Sequence, residues 1–217
     1  MKKLHATNLA QYLLKIKAVQ LNPKEPFTWA SGIKSPIYND NRKLLSDFIV
    51  RELIVDELVK SLKINFENVE YIAGVATGGI AWGVLIAESL GLPFVYVRSQ
   101  AKSHGLKKQI EGILPSYKTR VVVVEDLVST GKSSLSVVDV LREHGADVLG
   151  ILSLFSYDLS VAQKRFEEKN CKLISLSTFP ELLEEALKRK YINEEEYNIL
   201  KEWHKNPENW YSQYFEK

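Results

Sequence analysis

The sequence is poor in cysteine, and it contains no long uninterrupted run of apolar residues. Cys171 is the single cysteine among 217 residues, which excludes an internal disulfide and a zinc site built on several cysteines. The longest apolar runs, such as 121–124, are about the length of a strand and far shorter than the roughly 20 residues of a membrane-spanning helix. Asn8, Gln11 and Lys15 interrupt the apolar core that a secretory signal peptide needs. We therefore expect a cytoplasmic protein that does not interact with a membrane.

The chain also lacks an excess of charge of either sign. Its 29 basic residues nearly balance its 27 acidic residues, for a net charge of +2. Because nucleic acids and membrane surfaces attract strongly basic proteins, neither is expected as a partner. A site for an anionic ligand would have to be local. The length predicts one domain, residues 1–217, and the 45% of hydrophobic residues suffices for a core.

What the sequence does contain is a regular alternation of strands and helices. Strands are predicted at 71–75, 94–97, 120–124, 148–155 and 172–176, and helices at 79–90, 132–144 and 159–169. The strands are nearly continuous runs of Val, Ile and Leu, which is typical of a parallel sheet covered by helices on both faces. The predicted fold class is therefore α/β.

The segments on either side of this alternation follow other patterns. The predictions there are a helix at 7–19, short strands and turns in 26–45, a helix capped by Ser46 or Asp47, and a helical tail in which Asn193 caps Glu194–Trp203. We divide the domain into a core of about 47–178, an N-terminal hood of about 1–46 and a tail of about 179–217. The tail is a candidate to pack with the N-terminal segment.

Residues 121–134, VVVVEDLVSTGKSS, are predicted to form a buried strand, a turn and the start of a helix. A P-loop requires a glycine five residues before Gly131, and Asp126 occupies that position, which excludes a P-loop NTPase. The turn still favours one phosphate, because a helix N-terminus presents free N–H groups and a positive dipole end. The Ser and Thr hydroxyls of the turn add further donors.

Glu125 and Asp126 stand immediately before this turn. Carboxylates accept hydrogen bonds, so an adjacent pair suits vicinal hydroxyls such as those of a ribose. A divalent cation is a second candidate partner, and capping of the turn is a purely structural alternative. A loop that binds sugar hydroxyls at its start and a phosphate at its end fits a ribose 5-phosphate.

Two other stretches are candidates for a role in binding. Ser99–Lys118 joins two strands without a clear helix, and such a long irregular stretch in a compact domain tends to be functional. A solvated surface loop fits its spacing equally well. Thr77–Gly79 is a second small-residue turn between a strand and a helix, which an ordinary tight turn would also explain.

Three separated segments resemble known families. Residues 121–134 closely resemble the motif of the type I phosphoribosyltransferases that binds 5-phosphoribosyl 1-pyrophosphate (PRPP). Phe27–Ser46 (FTWASGIKSPIYNDNRKLLS) and Arg98–Gly112 (RSQAKSHGLKKQIEG) resemble signature segments of the orotate phosphoribosyltransferases, and the tail is similar to the C-terminal helices of some members. The resemblance covers nearly the whole chain. It implies the type I phosphoribosyltransferase fold, a parallel sheet flanked by helices with an N-terminal hood.

The resemblance implies a reaction between orotate and PRPP that gives orotidine 5′-phosphate and pyrophosphate in the de novo synthesis of UMP. Magnesium would arrive with PRPP rather than on protein ligands of its own. The resemblance also implies a homodimer, in which loop residues Arg98, Lys102 and His104 are shared across the interface.

The resemblance also assigns roles to individual residues. The implied catalytic residues are Lys102, Glu125 and Asp126. The implied PRPP contacts are Thr77, Gly78, Arg98, Lys102, His104, Glu125, Asp126, Leu127, Val128, Ser129, Thr130, Gly131, Lys132 and Ser133. The implied orotate contacts are Ser129, Lys34 and Arg42.

The chain departs from the pattern of some members at three places. Ala30 stands where they carry a lysine, Ser99 where they carry a second base, and 156–158 contains no arginine. Two other functions are therefore weighed: a phosphoribosyltransferase for another base, such as a purine, and a regulator that senses PRPP. Phe27–Ser46 and Arg98–Gly112 argue against a purine, and the chain has neither spare length nor a basic excess for a nucleic-acid-binding module.

Overall fold

The computed structural model describes residues 6–28, 32, 34–98, 109–115 and 117–216. The helices are α1 Ala6–Lys15, α2 Phe48–Asn65, α3 Gly78–Leu90, α4 Lys132–Glu143, α5 Ser160–Glu168, α6 Phe179–Lys188, α7 Glu194–Lys205 and α8 Trp210–Phe215, with a 3-10 helix at Asn41–Ser46. The strands are β1 Val19–Leu21, β2 Phe27–Thr28, β3 Lys34–Ser35, β4 Ile37–Asn39, β5 Tyr71–Val75, β6 Phe94–Val97, β7 Ile110–Glu111, β8 Arg120–Val128, β9 Asp147–Ser156 and β10 Leu173–Thr178.

A six-stranded sheet in the order β10-β9-β8-β5-β6-β7 forms the centre of the molecule. All its neighbouring strands run parallel except β7, which is antiparallel to β6. Val122 and Val124 of β8 point into one hydrophobic cluster, and Val121 and Val123 point into another. Successive side chains of a strand point to opposite faces, so both faces of the sheet are covered. The predicted α/β class, with a helix-covered and mostly parallel sheet, is confirmed.

The helices are divided unequally between the two faces. The cluster on one face takes side chains from α4 and α5, such as Leu141 and Phe166. The cluster on the other face takes side chains from α1, α2, α3, α6 and α7, such as Leu13, Phe179 and Trp203. The first helix and the tail therefore share one core with the sheet. The boundaries of hood, core and tail stay a prediction.

Hydrogen bonds between polar side chains reinforce the contact between the first helix and the tail. Arg189, the residue after α6, donates from Nη2 to Oε1 of Gln11 at 2.9 Å. The same guanidinium pairs with Glu185, whose side chain is almost fully buried. A buried carboxylate requires such a partner, because an unpaired charge in the interior is costly.

Two predicted helix starts are confirmed by their caps. The carboxylate of Asp47 accepts a hydrogen bond from the N–H of Val50 at 3.1 Å and begins α2. Asn193 accepts a hydrogen bond from the N–H of Glu196 at 2.9 Å and begins α7. In both cases a side-chain oxygen satisfies an N–H that has no partner within the helix.

Two predictions about the segment 99–128 need correction. The strand predicted to end at Val124 continues to Val128, because β9 pairs with it as far as Ser156. The two acids, which were predicted to follow the strand directly, therefore lie inside it. Ile110–Glu111 forms the short strand β7 within a stretch that was predicted to be irregular.

The helices within the described ranges do not include one that combines the length and the apolar character needed to span a bilayer.

Candidate active site

The predicted site residues that can be placed lie at one edge of the central sheet. Thr77 follows β5, Arg98 follows β6, and Ser129 follows β8. Since β5, β6 and β8 are parallel, their carboxyl ends meet at this edge, where open α/β sheets usually bind ligands. The N–H of Ala76 donates to the carbonyl of Val97 at 2.9 Å, which fixes the ends of β5 and β6 side by side.

The carboxylate of Asp126 lies directly against Gly78. A Cβ atom added to Gly78 would lie 2.1 Å from Oδ2 of Asp126, so a larger residue would displace the carboxylate. The peptide bond between Ala76 and Thr77 in the same turn is cis. The structure therefore brings the acid of β8 into contact with the turn that begins α3.

Glu125 points to the opposite face of the sheet from Asp126. Its side chain is buried, and its Oε1 accepts a hydrogen bond from the N–H of Asp126 at 3.0 Å. Its Oε2 accepts a hydrogen bond from the hydroxyl of Ser134 on α4, also at 3.0 Å. Burial, followed by the neighbouring charge of Asp126, raises the pKa of the Glu125 carboxyl well above its ordinary value.

The two acids therefore occupy different environments. Asp126 is half-buried beside the turn after β5, whereas both oxygens of Glu125 are engaged within the chain. The assignment of Glu125 to a ribose hydroxyl stays a prediction. The contact of Ser134 with Glu125 was not predicted, although Ser134 is the last residue of the segment 121–134 and a buried hydroxyl there is a natural donor to the acid.

The turn after β8 leads into α4 through Gly131. This residue has φ 74°, and a Cβ atom there would lie 2.7 Å from Cε2 of Phe166. Gly131 caps α4 without a side-chain hydrogen bond. The first N–H groups of a helix lack partners within the helix, so those of Lys132 and Ser133 suit an anion. The side chains of both residues are exposed.

Arg165 of α5 stabilises this turn through a hydrogen bond to its main chain. Its Nη1 donates to the main-chain carbonyl of Thr130 at 2.9 Å, which ties α5 to the turn. A guanidinium is a permanent positive charge that favours a nearby anion. Arg165 was not predicted, because it lies 35 residues along the chain from Thr130 and no local pattern indicates the contact.

Leu127 and Val128 remain part of β8. The side chain of Val128 is buried, and that of Leu127 packs partly against the core. The carbonyl of Val128 accepts a hydrogen bond from the N–H of Tyr157 at 2.8 Å. A ligand contact from either residue would therefore come from the main chain.

Arg98 lies at the base of the predicted loop. Its Nε is 3.3 Å from Oε1 of Glu111, and its N–H donates to the carbonyl of Gln109 at 3.0 Å. These contacts join the end of β6 to β7 and bring the two ends of the loop together. Lys102 and His104 lie outside the described residues, as do Ala30 and Ser99.

The two predicted orotate contacts in the N-terminal segment are engaged within the chain. Lys34 donates from Nζ to the hydroxyl of Thr28 at 2.7 Å, and its Nζ lies 5.8 Å from the centre of the Tyr211 ring. Arg42 donates from Nε to Oδ1 of Asp40 at 2.7 Å. This hydrogen bond is the largest cause of a lowered pKa for Asp40. The assignment of both residues to orotate stays a prediction.

Asn41 connects the N-terminal segment to β8, the strand that carries Glu125 and Asp126. Its Nδ2 donates to the main-chain carbonyl of Asp126 at 2.7 Å, and its side chain is 1% exposed. The pKa of the neighbouring Arg42 is raised, mainly by its hydrogen bond to Asp40 and to a smaller extent by the charge of Asp126. Asn41 was not predicted, because 85 residues separate it from Asp126.

A tyrosine stands after β9, where some orotate phosphoribosyltransferases carry an arginine. Tyr157 is buried, and burial raises the pKa of its hydroxyl. Nε2 of His204 on α7 lies 2.7 Å from the carbonyl of Tyr157. The rings of Tyr157 and Trp203 meet edge to face with 5.8 Å between their centres. This position is therefore anchored to the tail and contributes to packing.

No group of three or more His, Cys, Asp or Glu side chains that could hold a metal ion occurs within the part of the chain that the structure describes. Asp126 is a partly accessible carboxylate at the sheet edge. Mg²⁺ usually keeps several waters and binds through one or two carboxylates and the phosphates of a substrate. The donor set at this edge thus fits a cation that is delivered with a phosphorylated ligand.

Comparison with known proteins identifies relatives of nearly the full chain. The family model described as "Phosphoribosyl transferase domain" matches residues 45–185. The orotate phosphoribosyltransferase of Listeria innocua is 52% identical over 93% of this chain and 96% of its own length. That of Porphyromonas gingivalis is 48% identical over 93% of this chain and 96% of its own length.

Solved structures show the same architecture. The orotate phosphoribosyltransferase of Aeropyrum pernix superposes with a TM-score of 0.74 at 33% identity, covering 85% of this chain and 99% of that chain. The UMP synthase of Leishmania donovani superposes with a TM-score of 0.74 at 25% identity, covering 91% of this chain and 42% of that chain. The chain therefore belongs to the phosphoribosyltransferase family, in the branch of the orotate phosphoribosyltransferases.

Proposed function

We propose that the protein transfers the 5-phosphoribosyl group of PRPP to orotate, giving orotidine 5′-phosphate and pyrophosphate. The near-full-length relatives support this reaction. The observation that carries it is the position of Asp126 between two turns that each begin a helix, Thr77–Gly79 and Ser129–Ser133. PRPP has a ribose between a 5′-phosphate and a 1-pyrophosphate, which is the same order of groups.

The 5′-phosphate would bind at the turn Ser129–Ser133. The N–H groups that open α4 and the hydroxyls of the turn are its donors, and the dipole of α4 favours its negative charge. Arg165 would hold the carbonyl of Thr130 away from the phosphate. Such a turn binds both substrate and product, since each carries the 5′-phosphate.

The pyrophosphate would bind at the turn Thr77–Gly79. The N–H groups of Gly78 and Gly79 open α3, and the close approach of β8 leaves no space for side chains there. The departing group gains charge as its bond to the sugar breaks, and donors placed beforehand at that oxygen lower the barrier. This turn would therefore contribute to catalysis as well as to binding.

Asp126 would bind the ribose hydroxyls. As the bond between C1 and the pyrophosphate lengthens, positive charge develops on the sugar, as in glycoside transfer. A carboxylate near the ring stabilises that charge while it also fixes the orientation of the ring. The buried Glu125 would act through its hydrogen bond to the N–H of Asp126.

The loop between β6 and β7 would complete the site. Arg98 lies at its base, and Lys102 and His104 are the cations that the family resemblance assigns to the pyrophosphate. Loop closure would exclude water, which otherwise competes with orotate for the sugar. A homodimer in which these loop residues serve the neighbouring subunit is part of the proposal.

Magnesium would enter as part of the substrate, bound to the pyrophosphate oxygens of PRPP. The cation would offset the charge of the leaving group. Asp126 would help to orient the complex through water, because Mg²⁺ retains several of its waters. The cytoplasm is the proposed location, since PRPP and orotate are charged metabolites and the chain contains no disulfide.

Ser129 is the proposed link between the phosphate turn and orotate. It is half-buried at the end of β8, adjacent to the acid strand. Its hydroxyl can donate to a carbonyl or carboxylate and can accept from an N–H. Orotate carries all of these groups, so a single hydroxyl near its ring contributes to orientation.

The test is a base-selectivity assay with purified protein, PRPP and Mg²⁺. Orotate, uracil, hypoxanthine and xanthine are supplied separately, and chromatography identifies the nucleotide formed. We expect product with orotate alone. Asp126→Asn should reduce that rate strongly, whereas Asp139→Asn should not, because Asp139 pairs with Lys169 on the outer side of α4. Product from a purine base and none from orotate would overturn the assignment.

A further inference from the structure

Asn41 is a buried polar residue that touches the proposed donor site without belonging to it. It opens the 3-10 helix of the N-terminal segment, and its side chain is 1% exposed. Its Nδ2 lies 2.7 Å from the main-chain carbonyl oxygen of Asp126. The contact is made to the main chain of the acid, so its carboxylate remains available for a ligand.

The carbonyl of Asp126 needs such a donor because of how the sheet ends. On one side, β8 pairs with β5 only as far as Val124, opposite Gly74. On the other side, β8 pairs with β9 as far as Val128. Asp126 therefore lies on a stretch that has lost its neighbour on the β5 side. A main-chain carbonyl without a partner is costly in a buried setting, and Asn41 replaces the missing strand.

Within the described residues, the side-chain amide of Asn41 uses its Nδ2 as a donor but not its oxygen as an acceptor. Its Oδ1 is buried and has no hydrogen-bond partner among residues 6–28, 32, 34–98, 109–115 and 117–216. A buried acceptor without a partner opposes folding. An asparagine at this position is therefore a poor choice for stability alone. Buried polar groups that oppose stability are expected where a site requires them.

The segment that carries Asn41 is firmly held. The N–H of Asp40 donates to the carbonyl of Ala18 at 2.8 Å, and β4 pairs with β1. Leu44, one turn later, is fully buried in the same core as Trp82 of α3. Asn41 is thus fixed from both sides, so its amide can hold the main chain of Asp126 in one position.

The position of the Asp126 main chain determines where its carboxylate lies relative to Gly78. The carboxylate of Asp126 lies against Gly78, and no space is left for a Cβ atom between them. Without the amide of Asn41, the end of β8 could shift and carry the carboxylate away from the turn after β5. The reacting groups of an enzyme lose much of their effect when they are displaced by about 1 Å.

We propose that Asn41 is a positioning residue for PRPP, acting through Asp126. It holds the main chain of the acid strand where its pairing with β5 ends, and so places the carboxylate on the ribose hydroxyls. The inference rests on the proposed function, because it assumes that Asp126 binds the ribose. It assigns a role in donor recognition to a segment that lies outside the phosphate and pyrophosphate turns.

The experiment compares ligands that contain the ribose with ligands that lack it. Calorimetry measures the affinities of wild type, Asn41→Leu and Asp126→Asn for Mg²⁺–PRPP, pyrophosphate and inorganic phosphate. We expect Asn41→Leu to weaken PRPP binding about tenfold, the effect of losing one or two hydrogen bonds. Its affinities for pyrophosphate and phosphate should change by less than about twofold. Asp126→Asn should show the same pattern.

Asn65→Leu is the matched control. Asn65 also donates from Nδ2 to a main-chain carbonyl, that of Ser61 at 2.9 Å, but it lies at the end of α2. Its replacement should leave all three affinities unchanged. If Asn41→Leu does not fold, Asn41→Ser removes the same bond with less apolar bulk and takes its place.

The outcomes separate the inference from the proposed function. Equal losses for all three ligands in Asn41→Leu would indicate a general structural role and overturn the inference. Unchanged PRPP affinity in Asn41→Leu would also overturn it, with the proposed function intact if Asp126→Asn still weakens PRPP binding. A wild-type protein that binds phosphate but not PRPP would overturn the proposed function and the inference together.

Discussion

Arg165 donates a hydrogen bond from Nη1 to the main-chain carbonyl of Thr130, 2.9 Å away. The bond ties α5 to the turn Ser129–Ser133, and under the proposed function it adds a permanent positive charge near the site of the 5′-phosphate. The geometry of the turn thus depends on a residue of α5, which lies beyond α4 and β9 in the chain. Residues 125–134 alone do not determine it.

The first prediction concerns this bond. Arg165→Met should weaken the binding of ribose 5-phosphate about three- to tenfold, because both the hydrogen bond and the charge are lost. Calorimetry with ribose 5-phosphate measures the change. Arg142→Met is the control, since Arg142 donates to the carbonyls of Lys169 and Asn170 at 2.7 and 3.1 Å without touching the turn. Equal affinities in wild type and Arg165→Met would contradict the role of Arg165.

The second prediction concerns Gly131. Gly131→Ala should lower the free energy of unfolding by about 1–3 kcal/mol, since the residue has φ 74° and its Cβ would lie 2.7 Å from Phe166. Gly91 has φ 63° with no atom within 4 Å of its Cβ, so Gly91→Ala isolates the backbone strain. Urea unfolding compares the two. A loss in Gly131→Ala no larger than that in Gly91→Ala would show that Phe166 moves aside.

The third prediction concerns the contact between Gly78 and Asp126. Gly78→Ala should reduce kcat/KM for PRPP about 10- to 100-fold, because the new Cβ would displace the Asp126 carboxylate, whose Oδ2 lies 2.1 Å from its position. Steady-state kinetics with varied PRPP gives the value. The free energy of unfolding should change little, since the carboxylate of Asp126 is half-buried and can move outward. The loss would therefore fall on activity and not on stability. Full activity would mean that this contact is not needed.

The fourth prediction is a pH dependence caused by Glu125. Burial and the charge of Asp126 raise its pKa in the folded state above the ordinary value of 4.5. The stabilising contribution of the protonated form is complete below the unfolded pKa, and it is lost as the pH rises through the folded pKa. Glu125→Gln cannot ionise, so its stability relative to wild type should increase from about pH 5 upward.

Urea unfolding of both proteins between about pH 5 and about pH 8 measures this difference. The amide can still accept from the N–H of Asp126 and donate to the hydroxyl of Ser134, so the fold is preserved. Glu67→Gln, at an exposed acid, controls for the change in net charge. If the difference in the free energy of unfolding between wild type and Glu125→Gln did not change with pH, the pKa of the buried Glu125 carboxyl would not be raised in the folded state.

The fifth prediction concerns Lys102. Lys102→Ala should reduce kcat about 100-fold or more, because the cation would stabilise charge that develops on the leaving pyrophosphate. Binding of ribose 5-phosphate should be unaffected, since that ligand has no pyrophosphate. Stopped-flow kinetics and calorimetry provide the two values. Lys60→Ala is a suitable control, because Lys60 pairs with Glu57 on the exposed face of α2.

Much of the sheet could be predicted because its signals are local. Tyr71–Val75 and Phe94–Val97 are continuous apolar runs bounded by turn residues, and they form β5 and β6 with the predicted limits. Asp47 and Asn193 cap helices through side chains three residues from the N–H that they bind. A pattern within one segment is sufficient to predict such features.

The parts that were missed depend on distant partners. Where β8 ends is decided by its pairing with β9, and the inward direction of Glu125 follows from that pairing. Asn41 and Arg165 reach the site from 85 and 35 residues away. The sequence could therefore predict which kinds of residue the site contains, but not which residues hold them in place.

The shared core of the first helix and the tail has a consequence for synthesis on the ribosome. Leu9 and Leu13 of α1 are fully buried in the same cluster as Phe179 of α6 and Trp203 of α7. During translation, these residues of α1 leave the ribosome well before their partners in α6 and α7. The apolar face of α1 therefore lacks these partners while the central sheet is being made, and we expect chaperones to bind the nascent chain until α6 and α7 have emerged.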